Sequence, residues 1–369
     1  MRTTRNAALA VSALVAAALV TACGGSSPGA SSGTANSAYA QISALPKAQQ
    51  RAKAQELAKK EGNTLSLYTS MTADVATPVA KAFEKKFGIH VSVFRANSET
   101  VLQRTSQEEQ AGRPGGDAVE TDFVEMAAMA QNGFLADYTG SGLDKVDPTG
   151  RFTHWTASRF NVFQPAWNTN LIKPADEPHS WEDLASPKYK GKLTVEISDS
   201  DWYENLTKYW LDHGKTQAQV DALWKAIIGN SKVSKGHTTM MQFLSAGQSP
   251  IEAMNYTYIT DRAEKKGAPV THLPADGVSK IPAFARPNGV GMIKDAKHPA
   301  AAWLFYDWLL TDGQQELVNL GLTPSTKIPG DQSLKGTTLV PFDVTGLTKE
   351  GADWDKKYDQ LLRGASAGK

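Results

Sequence analysis

The chain has 369 residues, 41% of them apolar, and its 39 Lys and Arg against 38 Asp and Glu leave a net charge of +1. So even a balance gives no polyanion-binding surface, and nucleic acid is not expected as a partner. A single cysteine excludes a disulfide framework and a cysteine-built zinc site.

Arg2 and Arg5 precede an apolar run from Ala7 to Val20, broken only by Ser12. The run is shorter than the ~20 residues a bilayer-spanning helix needs, and it has the flanks of a secretory signal. It ends in Val20-Thr21-Ala22-Cys23-Gly24, which resembles a bacterial lipobox, so residues 1–23 read as a lipoprotein signal and Cys23 as the lipidated residue. The alternative is an ordinary cleaved signal with a chance cysteine. Residues 24–41, rich in Gly, Ser and Ala, read as a flexible tether. The expected location is therefore extracytoplasmic, on the cell membrane.

Ile42 to Glu61 reads as a helix, Thr64 to Tyr68 as a strand, and Val75 to Phe87 as a helix stopped by Gly88. Ile89 to Phe94 is the next strand and Thr100 to Ala111 the next helix. Asp117 to Val119 then reads as a buried strand end and Phe123 to Asn132 as a helix. This alternation predicts a mainly parallel α/β sheet with ligands outside the carboxyl ends of its strands. Arg159 to Trp167 is apolar and extended, a candidate crossing between two lobes. Beyond it come a strand at Lys192 to Ile197, helices at Trp202 to His213, Thr216 to Ile228 and Thr238 to Ala246, and a strand at Pro250 to Asn255. Ala283 to Ile293 is extended, Pro299 to Leu310 is a strongly apolar helix, and Trp354 to Arg363 closes the chain as an amphipathic helix.

Enzyme signatures are absent: no Gly-x-Ser-x-Gly, phosphate loop, Gly-x-Gly-x-x-Gly or His-Glu-x-x-His occurs. The seven histidines (His90, His154, His179, His213, His237, His272, His298) are scattered singly, which fits surface or capping roles. Polar groups gather instead at four strand ends: Tyr68-Thr69-Ser70-Met71-Thr72, Asp117 to Asp122, Ser198 to Tyr203, and Asn255-Tyr256-Thr257-Tyr258. Taken singly, each has a plain structural explanation, such as a helix cap at Ser198 to Asp201 or packed strand tyrosines at 256 and 258. Together they point to a ligand cleft between lobes. A surface hydrolase using Ser198, Asp201 and a distant histidine would need a nucleophile elbow that the chain lacks. An adhesive surface lipoprotein would have no use for four polar strand ends.

Several segments carry a resemblance to the extracellular solute-binding proteins of bacterial ABC importers, in the subgroup that includes ferric-iron-binding proteins. They are Leu65 to Ser70, Arg95 to Glu99 continuing through Arg104 and Glu108 to Arg113, Asp117 to Val119, and Gly133 to Tyr138. Later come Trp181 to Lys192, His298-Pro-Ala-Ala-Ala302 and Leu309-Leu-Thr-Asp-Gly-Gln-Gln315, the last two being the most specific. The resemblance implies a two-lobed, type II periplasmic-binding-protein-like α/β fold, with a ligand cleft between lobes joined by crossing strands. It implies a first lobe at 42–160 with a return at 283–321, a second lobe at 161–282, and a C-terminal segment at 322–369 packed back across the hinge. It also implies a monomer that passes one small solute to permease and ATPase subunits, and no resident cofactor.

In iron-binding members phenolates dominate the site, because Fe³⁺ prefers anionic oxygen donors. Tyr203 falls on one such position by resemblance. Tyr256-Thr257-Tyr258 replaces the usual adjacent pair; in an extended segment both tyrosines would point to one side. Thr72 stands where some members have histidine, and Asp122 occupies the carboxylate position. Thr69, Ser70, Ser98, Ser198 and Asn255 complete the expected ligand set, and Arg95 and Arg104 are the candidates for a synergistic anion beside iron. They would serve equally for the charged group of an organic ligand such as a phosphonate, with thiamine and polyamines as cationic alternatives. For an organic ligand, Trp202, Tyr203 and Tyr256 would be stacking walls.

Overall fold

The structure is a computed structural model that describes residues 32–331 and 336–367; the lipobox-like segment ending at Cys23 lies outside them. Helices α1 (Ser32–Ser43) and α2 (Lys47–Lys60) come first. Next are β1 (Thr64–Thr69), α3 (Ala73–Phe87), β2 (His90–Arg95), α4 (Ser98–Gln110), β3 (Ala118–Asp122), α5 (Phe123–Gln131), β4 (Leu135–Ala136) and β5 (Arg151–Phe152). The long β6 (Trp155–Asn168) leads into β7 (Leu193–Glu196), α6 (Ser200–Asp212), α7 (Gln217–Gly229), β8 (Ser231–Ser234), α8 (His237–Ser245), β9 (Ile251–Tyr256), α9 (Thr257–Lys265) and β10 (Val270–Thr271). The chain closes with β11 (Ala283–Ile293), α10 (Pro299–Leu309), α11 (Gly313–Asn319), β12 (Thr323–Pro324), β13 (Leu339–Pro341) and α12 (Val344–Ala367).

Local chemistry accounts for several boundaries. On α3, Val75, Ala76, Val79, Ala80 and Phe83 recur at helical spacing and are buried, and Gly88 closes the helix at φ 67°, a conformation that favours glycine. Asn97 caps α4 by accepting from the Thr100 amide at 3.1 Å, and Thr216 forms a capping box with Gln219. The expected tether is shorter than its composition implies. α1 begins at Ser32, its Tyr39 and Ile42 are buried beside Trp303 and Leu304 of α10, and the Tyr39 hydroxyl donates to the Ile293 carbonyl at 2.9 Å. Two apolar side chains hold a segment that otherwise looks like linker. Pro46 then separates α1 from α2 where one helix was expected.

The main strands form one path, β2-β1-β3-β11-β6-β9-β7-β8. The first three are mutually parallel, and β7 is parallel to both β8 and β9. Between these two parallel sets run β6 and β11, antiparallel to each other and long enough to belong to both. β11 pairs with β3 over Asn288 to Met292, while β6 pairs with β9 over Phe163 to Trp167. Each side has its own core. One is built on Val79, Phe83, Trp303 and Trp308 beneath α3 and α10, the other on Trp181, Trp202, Trp210 and Trp224. The C-terminal segment reaches the second of these cores and a further cluster beneath α4 and α5: Phe342 lies 5.9 Å from Phe163 and 5.4 Å from Phe123. Tyr358 of α12 donates to the Glu196 carbonyl at 2.7 Å.

Candidate functional site

Where β6 and β11 cross, the register sets Asn161 opposite Arg286 and Arg159 opposite Asn288. Alternation puts these four polar side chains on one face and Phe160, Val162, Ala285 and Pro287 on the other. Arg286 is buried and touches groups on both sides of the crossing. Its Nη1 donates to Asp201 Oδ2 at 2.5 Å, its Nη2 donates to the Tyr256 hydroxyl, and Nη2 lies 3.9 Å from Asp122 Oδ2. The guanidinium also lies 5.1 Å from the centre of the Tyr256 ring. Asp122, at the end of β3, accepts from Ser98 Oγ at 2.9 Å and from the Asn288 amide. Beside it, Arg159 donates to Glu120 Oε1 at 3.1 Å and to Asn161 Oδ1. Thr69 Oγ1 donates to the other Glu120 oxygen at 2.8 Å.

From the end of β9 and the start of α9 come two parallel rings, Tyr256 and Tyr258, with centres 5.9 Å apart and planes 6° from parallel. The His237 ring packs 4.3 Å from Tyr256, and its Nε2 is 3.2 Å from Asp199 Oδ1. His237 was expected at a surface or cap, but its side chain is only 12% exposed. Five polar atoms around this cluster stand without a hydrogen-bond partner: Arg286 Nε, Asn288 Oδ1, Asp199 Oδ2, His237 Nδ1 and Glu252 Oε1. A buried polar group costs about 1–3 kcal/mol unless water or a ligand meets it.

Burial raises carboxyl pKa values here, and the arginines oppose it. Burial would lift Asp122, but Arg286, Arg159, Ser98 and Asn288 overcome it and hold the carboxyl below its ordinary 3.8. Burial wins at Glu120 despite Arg159, and it pushes Glu125, next to Asp122, and Glu252 up to about 8. Burial also holds the Tyr258 phenol above 10.0. At His237 the Asp199 carboxylate outweighs burial, which would lower it, and favours the charged imidazolium.

The structure brings together Ser98, Asp122, Tyr256 and Tyr258 from the expected set, with Asn255 beneath them accepting from the Tyr256 amide at 2.7 Å. The tyrosine pair shares a side for a reason other than the one expected. Tyr256 ends β9 and Tyr258 lies in the first turn of α9, so the segment is not extended. Thr69 serves Glu120; the Ser70 amide donates to the Glu120 carbonyl at 3.0 Å, and Thr72 precedes α3 as its cap residue.

Other candidates lie elsewhere. Tyr68 points to the opposite face of β1 from Thr69, and its hydroxyl donates to Glu108 at 3.0 Å. Arg104 pairs with the same Glu108 at 2.8 Å and covers the rings of Phe94 and Tyr68. Arg95 is exposed, its Nε donating to the Met71 carbonyl at 3.1 Å. Ser198 is exposed just after β7. On α6 the residue facing the cleft is Asp201, and each further residue turns away by about 100°. Trp202 is therefore a core side chain edge-on to Trp224 at 4.9 Å, not a stacking wall. Tyr203 lies among Trp224, Trp354 and Tyr358, with ring centres 4.9, 5.5 and 5.6 Å away. Tyr203→Phe is accordingly expected to leave ligand affinity within about twofold of wild type in titration calorimetry.

Arg286, Asn288, Arg159, Asn161 and His237 were not among the expected ligand residues. For the first four a signal was present: charged and amide side chains at alternate positions of otherwise apolar extended segments. Among the described residues, no group of three or more His, Cys, Asp or Glu side chains could hold a metal ion, and no helix is long and apolar enough to cross a membrane.

The family profile described as bacterial extracellular solute-binding protein matches residues 79–328. Iron uptake protein A1 of Synechocystis sp. is 21% identical over 309 residues, covering 79% of this chain and 84% of that one. Iron-bound HitA from Pseudomonas aeruginosa superposes with a TM-score of 0.66 at 20% identity, covering 80% of this chain and 99% of HitA. The periplasmic binding protein AfuA from Actinobacillus pleuropneumoniae, solved with fructose-6-phosphate, gives 0.68 at 20% identity, covering 81% and 98%. These neighbours share the two-lobed α/β architecture built on crossing strands. With its profile match spanning well over half of the residues, the chain belongs to the bacterial extracellular solute-binding proteins, which bind their solutes and are not enzymes.

Proposed function

We propose that this protein is the solute-binding component of an ABC importer, anchored outside the cytoplasm through lipidated Cys23, and that its cargo is ferric iron. The observation that carries the ligand assignment is the parallel pair Tyr256 and Tyr258 beside Asp122 and Asp201, at the junction of the two cores. These are hard oxygen donors of the kind Fe³⁺ prefers. Burial keeps the Tyr258 phenol protonated, so a cation must be in place to draw off the proton. Arg286 and Arg159 take the role expected of Arg95 and Arg104, that of holding an accompanying anion. The names of the iron-uptake and iron-bound relatives support the same choice. We take the lobes as 42–160 with 283–321, extended back to Ser32 by α1, and as 161–282, with 322–369 packed across the hinge. The protein works as a monomer that delivers to permease and ATPase subunits.

A second reading, a small organic anion, is favoured by the two guanidinium groups on the polar face of the crossing strands and by AfuA, whose bound ligand is a sugar phosphate. One titration separates them. The chain from residue 23, carrying Cys23→Ser to keep it unlipidated, is stripped of metal and titrated with ferric citrate. A visible band from tyrosinate-to-iron charge transfer is expected; Tyr258→Phe should weaken and shift it, and Tyr256→Phe with Tyr258→Phe should abolish it. If no band forms at saturating iron, the ferric reading falls, and calorimetry with fructose-6-phosphate becomes the next test.

A further inference from the structure

Arg262 lies in α9, one turn after Tyr258, on the second-lobe side. Its guanidinium reaches across to the first. Nε and Nη2 both donate to the Leu320 carbonyl, Nε at 3.1 Å, and Nη1 donates to Asp74 Oδ2 at 2.8 Å. Asp74 lies in the first turn of α3, and Leu320 follows α11, where carbonyls have no helical partner of their own. The same guanidinium lies 5.2 Å from the centre of the Tyr258 ring. Tyr258 in turn packs against both cores. One side chain thus touches a cleft tyrosine and holds two points of the opposite lobe.

We propose that Arg262 is a positioning residue that clamps the lobes together over the bound solute and sets how fast the solute leaves; this rests on the solute-binding reading but not on iron. A planar guanidinium suits the task because its donors diverge in a fixed fork, here onto a carbonyl and a carboxylate. Contacts made only when the lobes are together stabilise that arrangement relative to the separated one. The clamp thus biases the lobes together even without ligand, affinity rises by less than the full factor in proportion to the closed population already present, and the gain appears chiefly in slower dissociation.

The test places nitroxide labels at Lys81→Cys and Lys265→Cys, exposed positions on α3 and α9, in the chain from residue 23 with Cys23→Ser. Inter-label distances are measured without ligand and with ferric citrate. Arg262→Ala should lengthen and broaden the ligand-free distribution and raise the dissociation rate about tenfold with little change in association. Asp74→Ala, which removes an exposed side chain and leaves folding intact, should raise the rate about threefold. Arg262→Lys, which keeps the Asp74 pair, should lie between wild type and Arg262→Ala. Unchanged ligand-free distances in both Arg262→Ala and Asp74→Ala overturn the clamp, whether or not ferric citrate gives a band. Altered distances without a band sustain the clamp and remove only the iron assignment.

Discussion

Arg286→Met is expected to lower stability by about 3–5 kcal/mol at pH 7, because it leaves the buried Asp201 and the half-buried Asp122 without their guanidinium. The loss should depend on pH in a defined direction. In the wild type, Asp122 is held below its ordinary 3.8, so it contributes stability that is full above that value and is lost as pH falls through the lower folded value. Without Arg286 the largest contribution opposing burial is lost and the folded value rises, while Arg159, Ser98 and Asn288 remain. The carboxylate then contributes less at neutral pH than in the wild type, and acidification removes that difference. Urea unfolding at pH 7 and about pH 4.5 should therefore show the gap between wild type and variant narrowing as pH falls. Adding Asp201→Asn to the variant should recover part of the loss at pH 7, since it removes one stranded charge. An equal gap at both pH values would mean that Arg286 acts through packing alone.

Trp224→Ala should be about as costly, roughly 3–5 kcal/mol, but for a different reason. Trp224 is buried at the meeting point of three rings, with Trp202 and Tyr203 each at 4.9 Å and Trp210 at 5.3 Å. Its indole N–H donates to Thr207 Oγ1 at 2.8 Å. Truncation opens a cavity and strands a buried hydroxyl, with no charge to titrate. The loss should therefore be the same at pH 7 and pH 4.5 when followed by circular dichroism. A cost under about 1 kcal/mol would mean that this core closes over the missing ring.

The alternation of strands and helices was legible because it is local. Val75 to Phe83 shows helical spacing within one segment, and Asn97 and Thr216 sit where caps belong. The crossing strand at Arg159 to Trp167 was legible for the same reason, as an extended apolar run. What could not be read depends on residues far apart in the chain. Arg286 meets Asp201 across 85 positions, and nothing near either residue announces the other. Tyr203 was misplaced because resemblance aligns a residue with a strand end, whereas the phase of α6 decides which way it points. Asp201, two residues earlier, has the right phase. α1 was hidden by composition: Tyr39 and Ile42 are too few to mark a helix until α10 supplies the surface they cover.

Phe342 carries one more consequence. It is lodged between Phe123, which opens α5 on one lobe, and Phe163 on a crossing strand within the other core, while α12 continues along α6 with Tyr358 tied to the end of β7. The last part of the chain thus fastens elements that are far apart in sequence, like a strap buckled at Phe342 and again at Tyr358. Phe342→Ala would undo the first buckle and leave the second in place, so α12 should stay docked on α6 while the hold between α5 and β6 slackens.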